Sequence, residues 1–150
     1  MAVATFDAPD LNRKPRHMMH YGNAWSAVGT ATLGNSTSAS NARPLRIPAG
    51  VLLTDLDIYN DDLDTGSSAA IVGKVGYSPV DGSSPTANDS YFAGTAAGTF
   101  LGTAGRTRLS FKPIKFEKDV YVNLTVTTAA STFVAGDVIA IASGQCDGIQ

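Results

Sequence analysis

The sequence predicts an all-β fold: a single β-sandwich or jelly-roll-like domain over residues 24–150, carrying an extended N-terminal arm over residues 1–23. Three observations predict it. Apolar residues recur at every second position in segment after segment, the period of a strand with one dry and one wet face. Twelve of the thirteen acidic residues are Asp, with Glu117 the one Glu, and Asp favours turns because its carboxylate bonds to nearby backbone. Fifteen Gly and seven Pro then punctuate the chain at the short intervals of a sandwich, without the helical spacers of βαβ units.

The arm, MAVATFDAPDLNRKPRHMMHYGN, holds no steady apolar period and is broken by Pro9 and Pro15. Phe6, Leu11, Met18, Met19 and Tyr21 are more apolar anchors than a solvated tail needs, and Arg13, Lys14 and Arg16 add a basic run. The segment therefore reads as an arm that orders against a partner. From Trp25 the alternation begins, with Ala27, Gly29, Ala31 and Leu33 on the same face. GNSTSASNARP reads as a loop. Leu52, Thr54, Leu56 and Ile58 then point one way, against Asp55 and Asp57.

After the turn NDDLDTGSS come Ile71, Gly73, Val75 and Tyr77 on one face. A long connection follows, with a short helical turn expected near Thr86 or Asn88 and with Tyr91 and Phe92 plugging one end of the core. Thr107, Leu109 and Phe111 oppose Arg106, Arg108 and Ser110; Ile114 and Phe116 oppose Lys115 and Glu117. Asp119–Thr127 is the cleanest strand, alternating Val120, Val122, Leu124 and Val126 with polar residues and Tyr121. Asp137–Ser143 is apolar on both faces, so it is either central in the sandwich or covered by another subunit, and Val138, Ile139 and Ile141 are the candidate oligomer contacts.

Composition narrows the function classes. A net charge of −2 and a pI near 5.5 give no electrostatic hold on nucleic acid or anionic lipid. No apolar run approaches the roughly 20 residues of a membrane helix, and the N-terminus lacks the basic start and apolar stretch of a signal peptide, so the expected route is synthesis and use without secretion. Cys146 is the one cysteine, leaving no partner for an internal disulfide and no thiolate cage.

Catalytic and metal chemistry find no constellation in the sequence. His17 and His20 lie close together, but zinc needs three or four ligands and no Cys or Glu motif accompanies them. Asn60, Asp62 and Asp64 fit the first ligand positions of a calcium loop, yet Thr65 stands where its Gly belongs and Ile71 where its Glu belongs. No nucleophile elbow, P-loop or dinucleotide fingerprint occurs. The expectation is a non-enzymatic protein with no catalytic, cofactor-binding or metal residues.

Three segments, MAVATFDAPDLNRKP, VGYSPVDGSSPTANDSYFAG and VYVNLTVTTAASTFVAGDVIAIAS, together resemble the head decoration or cement proteins of tailed bacteriophages. The resemblance implies a virion structural protein, often a homotrimer, on the outer capsid surface, whose partner is the major capsid protein and whose arm helps fasten neighbouring capsid subunits. A tail or minor head protein would resemble these segments too. A carbohydrate-binding module is the alternative from another class, in which exposed Tyr59, Tyr91 or Tyr121 stacks on sugars.

Overall fold

A computed structural model describes residues 2–9, 11–12 and 24–147. Ten strands follow one another: β1 (Thr5–Asp7), β2 (Ala24–Leu33), β3 (Asn41–Ile47), β4 (Val51–Asn60), β5 (Val72–Pro79), β6 (Asn88–Ala93), β7 (Gly105–Arg108), β8 (Ile114–Phe116), β9 (Val120–Thr128) and β10 (Gly136–Cys146), with one 3-10 helix, Thr95–Gly102, between β6 and β7. Sheet A runs β1-β3-β9-β5-β6; sheet B runs β2-β10-β4-β7, with β8 pairing the first half of β4. The chain passes between the sheets at nearly every connection, so neighbours within a sheet are mostly distant in sequence.

The period-2 pattern decides which side chains fill the space between the sheets. Val120, Val122, Leu124 and Val126 of β9 are fully buried, and they meet Leu33, Leu56, Ile58, Val138 and Ala140 in a single core. β10 lies between β2 and β4, with Val138, Ala140 and Ala142 inward and Ile139 and Ile141 half-buried on the outer face. That placement explains its doubly apolar sequence: a central strand needs apolar residues inside, and its outer row is shielded by two neighbours.

Two bulges change the expected pattern. Between β4 and β10 the register skips Thr54, so the buried set is Val51 and Leu53 before the skip and Leu56, Ile58 and Asn60 after it. One extra residue flips the faces, and Leu52 and Thr54 therefore do not share a side with Leu56. The second bulge is in β3, which the sequence presents as loop followed by an uninformative stretch. Ala42 and Leu45 pair with Leu124 and Val122, leaving Arg43 and Pro44 in the bulge; a strand accepts proline where the ladder is already interrupted. Asn88–Ala93 is likewise a strand and not the start of a helix; the helical turn sits later, in the Gly-rich run.

The ends of the sandwich are closed differently. At one end Tyr77, Tyr91, Phe92, Phe111 and Phe116 pack edge-to-face, with Tyr77–Phe116 centroids 5.1 Å apart and Phe92–Phe111 4.9 Å apart, as the reading of Tyr91 and Phe92 as a core plug anticipates. At the other end the Asp64 carboxylate, 1% exposed, accepts hydrogen bonds from the backbone N–H groups of Ala70 (2.7 Å), Ile71 (3.1 Å), Ser131 (2.9 Å) and Thr132 (2.8 Å), and from Ser131 Oγ (2.8 Å). This ties the β4–β5 connection to the β9–β10 connection, joining the two sheets. Burial alone would push the Asp64 carboxyl up, but the convergent donors prevail and hold it well below the usual carboxylate range.

Candidate partner interfaces

Of the residues singled out for partner binding, Ile139 and Ile141 lie on the outer face of sheet B, while Phe6 and Leu11 belong to the packed domain. On sheet A, part of the expected arm is integrated into the domain. β1 pairs in parallel with β3, Thr5 with Asn41 and Asp7 with Arg43. Asp7 and Arg43 form a two-pronged ion pair, Nε to Oδ1 at 2.6 Å and Nη2 to Oδ2 at 2.8 Å. The same guanidinium stacks 4.6 Å from the Tyr121 ring centroid, and the Tyr121 hydroxyl donates to Asn12 Oδ1 at 2.9 Å. Phe6 packs so closely on Gly34 that a Cβ there would lie 2.7 Å from its ring. Ala8 and Leu11 are both 4% exposed within the main core.

This corrects the expectation that Leu11 and Phe6 lack a place within their own domain. The ladder partner was invisible because β3 itself is masked by its bulge. Arg13, Lys14, Arg16, Met18, Met19 and Tyr21 lie outside the described residues, as do His17 and His20.

Sheet B presents a different outer face. Val28 of β2 stands opposite Ile141 of β10, and Ile139 stands opposite Tyr59 of β4. Val28 is 62% exposed and Tyr59 39%, so these four form a contiguous apolar patch. On its far side Asp57 pairs with Arg106 and Asp55 with Arg108, leaving the rim charged but neutral overall. Val138 is fully buried in the core and is removed from the candidate contacts: its parity points it inward. Ile139 and Ile141 remain outward.

Other groups are committed within the fold. Asp61 Oδ2 accepts from Asp137 N at 2.8 Å and Asp62 Oδ1 from Asp64 N at 3.2 Å, so the Asp-rich turn spends its oxygens on backbone. Among the described residues no group of three His, Cys, Asp or Glu side chains is placed to hold a metal. An open cleft of about 370 Å³ is lined by Arg46, Ala49, Val80, Asp81, Glu117, Lys118 and Asp119, where Arg46 pairs with Asp119 and Lys118 with Asp81. The tyrosines named for sugar stacking are dispersed: Tyr59 lies on sheet B, Tyr91 in the aromatic plug, and Tyr121 beneath Arg43.

No family model and no curated protein matches the chain. Solved structures do. A chain in the capsid of Ralstonia phage GP4 superposes with a TM-score of 0.75 at 20% identity, over 97% of this chain and 99% of that one. A chain in the cyanophage Pam1 capsid asymmetric unit gives 0.67 at 19% identity, over 88% and 91%. A chain in the acid-stable capsid of Helicobacter pylori bacteriophage KHP30 gives 0.52 at 13% identity, over 81% and 89%. The chain shares with all three a β-sandwich fold.

Proposed function

We propose that this chain is a non-enzymatic structural protein of a tailed-phage virion that decorates the outer capsid surface and cements neighbouring subunits of the major capsid protein. The observation that carries the reading is the end-to-end likeness to a chain of the Ralstonia phage GP4 capsid, 97% of one chain on 99% of the other. It is supported by an outer sheet face that leaves Val28, Ile139, Ile141 and Tyr59 in the open, and by an interior whose charged groups serve the fold. The resemblance read in the sequence points the same way and carries the expectation of a homotrimer.

Cementing requires several modest contacts made together, because linked contacts convert each later binding event into an intramolecular one. In this reading one set comes from the outer face of sheet B. The other comes from residues 13–21, whose basic and apolar side chains follow a segment already anchored to sheet A by Asp7, Ala8 and Leu11. Each apolar side chain buried against the shell contributes about 1.5–3 kcal/mol before ordering costs, and Arg13, Lys14 and Arg16 add a salt-sensitive steering term toward an acidic surface.

The test is co-sedimentation of the purified chain with capsid shells lacking it, comparing the natural chain with one in which residues 13–21 are replaced by a Gly-Ser stretch of equal length. That replacement leaves β1 docked. Saturable binding at a fixed ratio to the major capsid protein, weakened by the replacement, is expected; no binding to any shell would overturn the proposal, and equal binding of both chains would remove the arm from it.

A further inference from the structure

An open sheet ends in edge strands whose unpaired N–H and C=O groups can template another strand, so natural edges are usually shortened or charged. The four edges of this sandwich are not treated alike. In sheet A, β1 has three residues, and β6 carries exposed Asn88, Asp89 and Ser90, with Asp89 ion-paired to Lys74. In sheet B, one edge is split between β7 and β8, which bring Arg106, Arg108 and Lys115. The remaining edge, β2, runs ten residues, AWSAVGTATL, without a charge or a proline. Among the described residues its main chain is paired with β10 alone.

The inner side of β2 is closed, because a Cβ on Gly29 would lie 2.0 Å from the Pro44 carbonyl oxygen of β3. Its outer row, by contrast, is open and includes Val28, 62% exposed. We infer that β2 is a pairing edge for a second copy of this chain, laid antiparallel to its own counterpart about a two-fold axis beside Val28, so that the two B sheets become one.

Three features commit the edge to a second copy. Antiparallel pairing of a strand with itself is isologous, so one unguarded edge suffices for both partners. With Val28 opposite Val28 of the other copy, Ser26 falls opposite Thr30 and Ala24 opposite Thr32; hydroxyl pairs of this kind are favourable, and no like charges meet. The row Ile141–Val28 is also extended across the axis into an unbroken apolar stripe, covering the large apolar side chain most exposed among the described residues. A ring of three contains no such two-fold contact, so the assembly it builds has an even number of copies. The inference stands on the edge itself and is independent of any capsid.

The experiment combines light scattering with amide hydrogen exchange on the full chain over a concentration series. Two copies are expected, together with concentration-dependent protection of the alternate β2 amides that do not face β10. Val28→Lys places like charges opposite each other and should weaken association about tenfold or more, with an unchanged circular dichroism melt at dilutions where both chains are single, because the side chain points to solvent. Tyr59→Lys puts the same charge on the same face two strands from the edge, and should keep two copies. A chain that stays single at its highest soluble concentration overturns the inference. So does a trimer whose β2 amides exchange as fast as in the dilute chain, or a Val28→Lys variant that associates like the natural chain.

Discussion

The outer faces of the two sheets descend from the same alternating pattern and end in opposite states. Sheet A engages its own chain: β1 extends its edge along β3, and Asp7, Arg43, Tyr121 and Asn12 form a chain of polar and stacking contacts there. Sheet B is left bare, with Val28, Ile141, Ile139 and Tyr59 in adjacent positions and its ion pairs confined to the β4–β7 side. Polar outer residues such as Asp7 and Arg43 are satisfied locally, whereas an apolar patch on a long edge gains from being covered. The difference is the ground for the proposed division, internal fastening on one face and association on the other.

The joint that both sheets share should be the most sensitive point. Asp64→Ala strands the N–H groups of Ala70, Ile71, Ser131 and Thr132 without their acceptor, and unpaired buried donors are costly. A melting temperature lower by roughly 10 °C is expected by calorimetry. The pH dependence follows from the lowered pKa of Asp64. A depressed carboxylate contributes stability fully above its unfolded value and loses it only as pH falls through the folded one. The gap between natural chain and variant should therefore persist from neutral pH to below pH 4, the ordinary Asp range, and close only in stronger acid.

The next effects separate the faces. Leu11→Ala empties a buried site at the margin of the core and should cost about 2–3 kcal/mol in denaturant unfolding; a negligible change would return residues 1–12 to the status of a free arm. Asp7→Ala removes a partly exposed ion pair and should cost about 0.2–1 kcal/mol, shrinking as salt is added. Ile141→Thr, on the bare face, should leave the melt within about 0.5 kcal/mol while reducing binding to shells or to further copies.

How legible this was in the sequence depended on whether a strand is regular. β9 is written without interruption, and its buried set, Val120, Val122, Leu124 and Val126, is the one its alternation names. The apolar residues on both faces of β10 left two readings, central or covered by another subunit, and the parity that buries Val138 and leaves Ile139 half-buried outside is fixed only by its two partners. β3 and β1 went unread together: the bulge at Arg43 and Pro44 breaks the period, and a three-residue strand has too little period to detect without the strand it joins. The same gap hid the anchoring of Leu11. Thr54 shows the converse, since an inserted residue in an apparently regular strand swaps the faces before it, and only the register with Ser143 and Gly144 reveals that.

The most direct test of the contrast between the faces is amide hydrogen exchange of the full chain, diluted until it is single and, separately, bound to capsid shells. New protection is expected in β2 and in residues 13–21, with β3 and β9 exchanging alike in both states because β3 is already paired between β1 and β9, and β9 between β3 and β5. Protection arising instead on β3 and β9, with β2 unchanged, would contradict it.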